Sequence, residues 1–296
     1  MTRLVARAYA KVNLNLKVLG RRPDGFHEIH TVLQSVGLHD TLEMSLEGTG
    51  VSLNVDDPAV PEGPSNLVLK AVDRLTRGQP EARPLNLRIR LGKRIPFGAG
   101  LGGGSSDAAA TLVGLDRLLG LGTGDARLLE HAAALGSDVP YFLSGGTAIL
   151  TGRGTEVTPL PDLAPAELLI LHPGTPLATA AVYAQLQEPL TLAAKPDSIS
   201  RFGRVPMDLV SWMRAGNDLE PAATQLCADV RRMRDLLDRS GAIASAMTGS
   251  GSAVFGLFAS AAGADAAGKV AEASGFKAFP CRTLDRESFH QGRLVT

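Results

Sequence analysis

Apolar and polar residues alternate with a period of two near the start of the chain. Ala10, Val12, Leu14, Leu16 and Val18 fall on one face, and Tyr9, Lys11, Asn13, Asn15 and Lys17 on the other. That is the pattern of a half-buried strand. A turn-rich break, Gly20 to Gly25, precedes three more strand-like runs: Val32 to Val36, Asp40 to Leu46 and Val51 to Val55. From Ser65 to about Arg77 the spacing becomes helical, with Leu67, Val68, Ala71 and Leu75 apolar, and alternation returns at Leu85, Leu87, Ile89 and Leu91. Helices are predicted from about Ser105 to Leu119 and from Asp125 to Leu135, the second ended by Gly136. Thr147 to Leu150 and Thr155 to Leu160 read as a hairpin around Gly152-Arg153-Gly154. Beyond the Pro-bearing stretch Thr158 to Pro165 come a strand at Leu168 to Leu171, a helix from Thr179 and one long helix from Ala223 to Ser240. A strand at Ala253 to Phe258 and a helix from Ala261 to Ser274 complete the pattern. Strands grouped with helices, without strict alternation and without an internal repeat, predict an α+β chain. The Pro-bearing stretch divides it into domains 1–160 and 161–296.

Glycine is distributed unevenly. Five of the 33 glycines fall within seven positions, in Pro96-Phe97-Gly98-Ala99-Gly100-Leu101-Gly102-Gly103-Gly104-Ser105-Ser106. A helix of small residues follows directly, so its free N–H groups and dipole meet a backbone that can approach a ligand closely. That junction suits a phosphate. Gly98-x-Gly100-x-x-Gly103 formally matches a dinucleotide fingerprint, but an amphipathic strand and the spacer Gly92 to Pro96 precede it, which argues against that reading. A P-loop would need lysine at the helix start, and none is there. A flexible loop with Ser105 or Ser106 as helix cap is the remaining alternative.

Composition narrows the partners. Lys plus Arg and Asp plus Glu each total 30, and aromatics make up 4%. Neither a general nucleic-acid binder nor a single-strand stacking platform fits that balance. A hydrophobic share of 44% supports a substantial core. No run approaches the ~18 apolar residues of a membrane span, and the start lacks a signal-peptide core. Cys227 and Cys281 match no metal-ligand spacing and build no disulfide framework. A cytoplasmic protein is expected, with neither nucleic acid nor membrane as partner.

Several motifs together resemble the GHMP kinases: Ala8 to Leu14, Arg22 to His27, the glycine loop extended by Asp107-Ala108-Ala109, Gly136 to Pro140, and Ala246 to Ser252. The longer glycine loop is most similar to the branch that phosphorylates 4-diphosphocytidyl-2-C-methyl-D-erythritol. The resemblance implies a two-domain α+β fold, with a ribosomal-protein-like N-terminal domain and a ferredoxin-like C-terminal one. It implies an ATP-dependent kinase of non-mevalonate isoprenoid synthesis, a monomer or homodimer, with Mg2+ and a small-molecule substrate carrying a cytidine diphosphate group.

It also implies roles, each beside a plainer reading. Asp138 would take the proton of the attacking hydroxyl, or cap a helix; Lys11 would be its electrostatic partner, or a solvated strand lysine. Pro96, Gly98, Gly100, Leu101, Gly102, Gly103, Gly104, Ser105 and Ser106 would cradle the triphosphate. Asn66 would lie beside adenine, or simply cap its helix. Asn13 would orient substrate, His27 would meet the cytosine edge, and Phe26 and Tyr183 would stack on the base, with Thr179, Gly249 and Ser250 nearby. Phe26 stands where the family commonly has tyrosine, so a phenol hydroxyl is lost. Lys93 and Arg94 could add charge near phosphates or be a solvated pair, and Asp107 would sit on the helix dipole. No carboxylate claims the metal; Ser105, Ser106 and Asp138 are the candidates near it. A kinase for homoserine, mevalonate or galactose, or a non-catalytic nucleotide-binding module, are the alternatives.

Overall fold

The computed structural model describes residues 2–77, 85–186 and 208–295. Two long strands dominate, β1 (Arg3–Arg21) and β2 (His27–Ser45), paired antiparallel along their length. The break between the two expected runs in β2 is therefore continuous strand. β3 (Val51–Val55), β4 (Leu87–Gly92), β5 (Thr147–Thr151), β6 (Glu156–Pro159) and β11 (Leu294–Val295) complete a seven-stranded sheet. The second sheet is antiparallel, formed by β7 (Glu167–His172), β8 (Ala244–Met247), β9 (Val254–Phe258) and β10 (Lys277–Arg282) in the order β10-β7-β9-β8. With a helical crossover on either side of the β8–β9 hairpin, this is the ferredoxin-like arrangement.

The first sheet carries α1 (Leu67–Thr76), α2 (Gly103–Leu119), α3 (Asp125–Leu135) and the short α4 (Tyr141–Ser144) on one face. Its other face meets the second sheet. The far side of the second sheet is covered by helices after α5 (Thr179–Ala184) and α6 (Leu209–Arg214), namely α7 (Glu220–Leu226), α8 (Asp229–Arg239) and α9 (Ala261–Ala273). The single helix expected from Ala223 to Ser240 is thus two, broken at Cys227 and Ala228, and α7 begins with Pro221 in its first turn. α10 (Arg286–Arg293) and β11, with no expectation attached to them, return to β1, so the last residues belong spatially with the first sheet. Both cysteines are free thiols.

One irregularity in β1 decides the site. Pairing with β2 slips between Tyr9 and Ala10. Leu4, Ala6 and Ala8 pack toward the helices, whereas Ala10, Val12 and Leu14 pack toward the second sheet. The pairing passes over two residues of β2, Gly37 and Leu38, and such a bulge bends the ribbon so that its two ends meet different layers. Lys11 and Asn13 consequently turn toward the glycine loop and are buried, at 3% and 4% exposure, although alternation alone suggested a solvated face. The apolar partners Val12 and Leu14, fully buried, each repay about 1.5–3 kcal/mol, enough to hold the polar residues in place.

Candidate active site

The glycine loop lies between the two halves of the molecule. Gly98, Gly100 and Gly102 have φ of +65°, +77° and +74°, backbone that side chains rarely adopt. Close approach forbids a side chain as well. A Cβ on Gly100 would lie 2.3 Å from the Thr248 carbonyl oxygen, and one on Gly102 would lie 2.7 Å from the Phe142 ring. Ala253 N–H donates to Ala99 O at 3.1 Å and Leu177 N–H to Gly98 O at 3.1 Å, so the C-terminal half braces the loop from below.

α2 starts at Gly103, two residues before the expected Ser105, with Gly102 at its cap position and no side-chain cap. The alternative of a serine cap fails: Ser106 is buried and its hydroxyl donates to Tyr9 O at 2.7 Å. The earlier start leaves the first N–H groups of the helix facing the loop, free for an anion. It also moves Asp107 beyond the first turn. Instead of resting on the dipole, Asp107 is buried against Lys93, whose ammonium donates to it at 2.8 Å and also to Asp40. Lys93 is therefore not a solvated lysine: it is buried between two carboxylates at the edge of the cleft. Burial pushes the Asp107 carboxyl up to about 7, with Lys93 opposing the rise, and its Oδ1 has no partner.

Lys11 Nζ donates to Asn13 Oδ1 at 2.6 Å and to Gly100 O at 2.9 Å, and lies 3.6 Å from Asp138 Oδ2. Burial pushes the ammonium below its usual value, while Asp138 pulls it back up. Asp138 is part-exposed at the end of the turn after α3, held where Val139 is fully buried. Besides holding Lys11, Asn13 donates one Nδ2 hydrogen to Thr31 Oγ1 at 2.9 Å, and its backbone N–H donates to Thr248 Oγ1 at 3.0 Å. It positions Lys11 and keeps a second amide hydrogen at the cleft wall. Asn66 is the N-cap of α1, accepting from Val68 N–H at 2.9 Å, with its amide on Pro61 O.

At the opposite end His27 and Tyr183 stack on each other, ring centres 4.8 Å apart and planes 30° apart. Burial lowers the His27 pKa, so the ring is neutral near pH 7 and offers one donor and one acceptor; burial also pushes the Tyr183 phenol up to about 12. Phe26 is 52% exposed and lines the same cleft as Tyr183, but the ring stacked on Tyr183 is that of His27. Thr179 and Ser250 hydroxyls are 2.9 Å apart, joining α5 to the turn after β8.

One cleft of about 1070 Å³ connects all of this. Its lining takes in Lys11, Asn13, Phe26, His27, Asn66, Pro96, the loop from Gly98 to Ser105, Asp138, Thr179, Tyr183, Gly249 and Ser250. Ser106, inside the helix packing, is outside it. The sequence reading missed the apolar wall of Val60, Pro61 and Leu67 at one end and the arginines Arg21 and Arg153 at the other. The Gly152-Arg153-Gly154 turn was legible as a hairpin tip, but nothing local said that it faces a cleft. Among the described residues no group of three His, Cys, Asp or Glu side chains converges as a metal site, and no helix is long and apolar enough to cross a membrane.

Comparison with known proteins agrees with this geometry. Residues 66–146 match the GHMP kinases N terminal domain and residues 206–275 the GHMP kinases C terminal domain. A 4-diphosphocytidyl-2-C-methyl-D-erythritol kinase of Citrifermentans bemidjiense is 39% identical, across 96% of this chain and 100% of the relative. One of Moorella thermoacetica is 41% identical, across 86% and 90%. A crystal structure of 4-(cytidine 5'-diphospho)-2C-methyl-D-erythritol kinase superposes with a TM-score of 0.76 at 34% identity, covering 94% of this chain and 98% of the other. A homoserine kinase from Cytophaga hutchinsonii superposes with a TM-score of 0.75 at 21% identity, covering 100% and 98%, a likeness of fold alone. With both family domains matched and the whole length aligned, the chain belongs to the GHMP kinase family.

Proposed function

We propose that the chain transfers the γ-phosphoryl group of ATP to the 2-hydroxyl of 4-diphosphocytidyl-2-C-methyl-D-erythritol, giving the 2-phosphate and ADP, in the cytoplasm and with no nucleic-acid partner. The observation that carries it is the placement of the Lys11–Asp138 pair, 3.6 Å apart, in one cleft between a glycine cradle and the His27–Tyr183 aromatic pair. Phosphoryl transfer asks for positioning and charge stabilisation rather than a covalent intermediate. The loop and the first N–H groups of α2 hold the triphosphate. Asp138 accepts the proton of the attacking hydroxyl as its oxygen bonds to phosphorus. Lys11, fixed by Asn13 and Gly100, stabilises charge developing beside it. The apolar wall of Val60, Pro61 and Leu67 suits adenine, and the His27 edge suits cytosine. The described side chains build no metal cage of their own. Ser105 and Asp138, both on the cleft wall, are the side chains that would hold a magnesium ion carried by the nucleotide, which would supply charge neutralisation at the phosphates. The cleft is complete within one chain, so the activity is assigned to a monomer and a homodimer alike.

The test is coupled ADP release with that substrate. Asp138→Asn retains ATP binding and loses turnover by about 10²-fold or more. Release of ADP with homoserine or mevalonate, and none with the cytidine diphosphate ester, refutes the assignment.

A further inference from the structure

The base end and the reaction end of the cleft are separated by a stretch to which no role has been given. Arg153 occupies it. This residue is at the tip of the β5–β6 hairpin, exposed, and lines the cleft. The hairpin is anchored next to both ends. Ile29 N–H donates to Gly152 O at 2.8 Å, which fastens the tip to β2 just after His27. A Cβ on Gly154 would lie 3.7 Å from the Ser137 side chain, so the tip also rests against the residue preceding Asp138. From that position the Arg153 guanidinium carbon lies 5.4 Å from the centre of the Phe26 ring. The guanidinium therefore sits on Phe26 in the cleft, carried by a hairpin tip that is anchored both beside His27 and beside the turn bearing Asp138.

Asp24 lies within charge range of Arg153 but makes its direct ion pair with Arg22, and the neighbouring cations are committed to direct partners. Arg22 is paired with Asp24 and Glu28. Lys11 is held by Asn13, Gly100 and Asp138. Lys93 is buried between Asp40 and Asp107. Arg21, the other cleft arginine, ends β1 directly opposite His27 and so belongs to the base end.

We propose that Arg153 grips the diphosphate that links base and alcohol in the substrate, and so makes the site prefer a nucleoside diphosphate ester over a nucleoside; this rests on the kinase reading above. A planar guanidinium donates in parallel to two phosphate oxygens, which an ammonium cannot do. The cation–π contact with Phe26 holds the guanidinium on this wall, where Phe26 itself offers no hydroxyl.

Calorimetric titration of the full-length wild type, Arg153→Ala and Arg153→Lys with cytidine 5'-diphosphate and with cytidine tests the assignment. The wild type is expected to bind the diphosphate at least about 10-fold more tightly than the nucleoside. Arg153→Ala shrinks that ratio about 10-fold, with cytidine affinity changed less than about twofold, and Arg153→Lys retains part of it. In turnover, the substrate KM rises in Arg153→Ala while kcat and the ATP KM stay near wild type. An unchanged ratio overturns the proposal. So does an equal loss for both ligands, which makes Arg153 a support for Phe26 alone. A wild type that shows the Arg153-dependent ratio but releases no ADP with the proposed substrate overturns the kinase assignment and leaves the diphosphate grip standing. The side chain is exposed at a turn, and a thermal melt matching wild type establishes that each variant is folded.

Discussion

Replacing Lys93 with methionine keeps most of the side-chain volume and removes one buried ammonium. That ammonium joins three segments. It bonds to Asp40 on β2 and to Asp107 on α2, from a residue that follows β4 directly. Asp40, whose side chain is fully buried, also accepts the backbone N–H groups of Arg94 at 2.6 Å and Ile95 at 2.8 Å. The strut thus fixes the entrance to the glycine loop against the helix that follows it. Without the ammonium two buried carboxylates face each other uncompensated. Breaking a buried pair by removing one partner costs about 3–5 kcal/mol. For a chain of this size that is a fall in melting temperature of roughly 6–20 °C.

The loss depends on pH, in a direction the structure sets. Burial raises the folded Asp107 pKa from 3.8 to about 7. Its contribution is complete below the unfolded value near 4 and is lost as pH rises through about 7, a span on the order of 4 kcal/mol. Lys93 opposes the rise, so without it the carboxyl holds its proton to still higher pH. Lys93→Met should therefore be damaged more at pH 8 than at pH 6, and Asp107→Asn should flatten the fall in stability between pH 4 and 7. Urea and thermal melts across pH 4 to 8, with the ATP KM measured on the same preparations, decide the matter. Wild-type stability in Lys93→Met combined with an ATP KM raised about 10-fold would show that Lys93 serves phosphate instead, the charge–phosphate contact being worth about that much.

Two further changes probe the reacting end. Lys11→Met removes the donor to Asn13 and Gly100 and the partner of Asp138; kcat for ADP release should fall by about 10²-fold or more, with the ATP KM within a few-fold of wild type. In Gly100→Ala the new methyl meets Thr248 O at 2.3 Å in a backbone with φ of +77°, pressing the loop away from the C-terminal half. A stability loss of about 1–3 kcal/mol is expected, with the stabilising shift that ATP produces in a thermal melt reduced or abolished.

Local pattern was sufficient for most elements because periodicity and turn chemistry act over short spans. β4, α3 and the β5–β6 hairpin follow the alternation, the helical spacing and the flanking glycines that announced them. β10, α10 and β11 carried no comparable pattern. β10 is a half-exposed strand containing Pro280, and α10 buries little beyond Phe289 and Arg293. Their places are set by pairing with β7 and β1, contacts between distant parts of the chain.

The glycine cluster and the motifs bearing Lys11, His27 and Asp138 were visible in the amino-acid order and together identified the family, whereas the stacking of His27 on Tyr183 was not. The order alone did not say which polar groups would be free. Asn13, Asn66 and Ser106 are polar residues in the right motifs, yet each spends side-chain hydrogen bonds on partners inside the protein. Lys11 became a buried site residue because the glycine loop and the turn bearing Asp138 close over its face of β1. Lys93 became a strut because Asp40 and Asp107 converge on it from sequence separations of 53 and 14 residues. The physical reason is common to all five. A side chain's charge state and hydrogen-bonding capacity depend on which other groups share its low-dielectric surroundings, and only the tertiary fold brings those groups together.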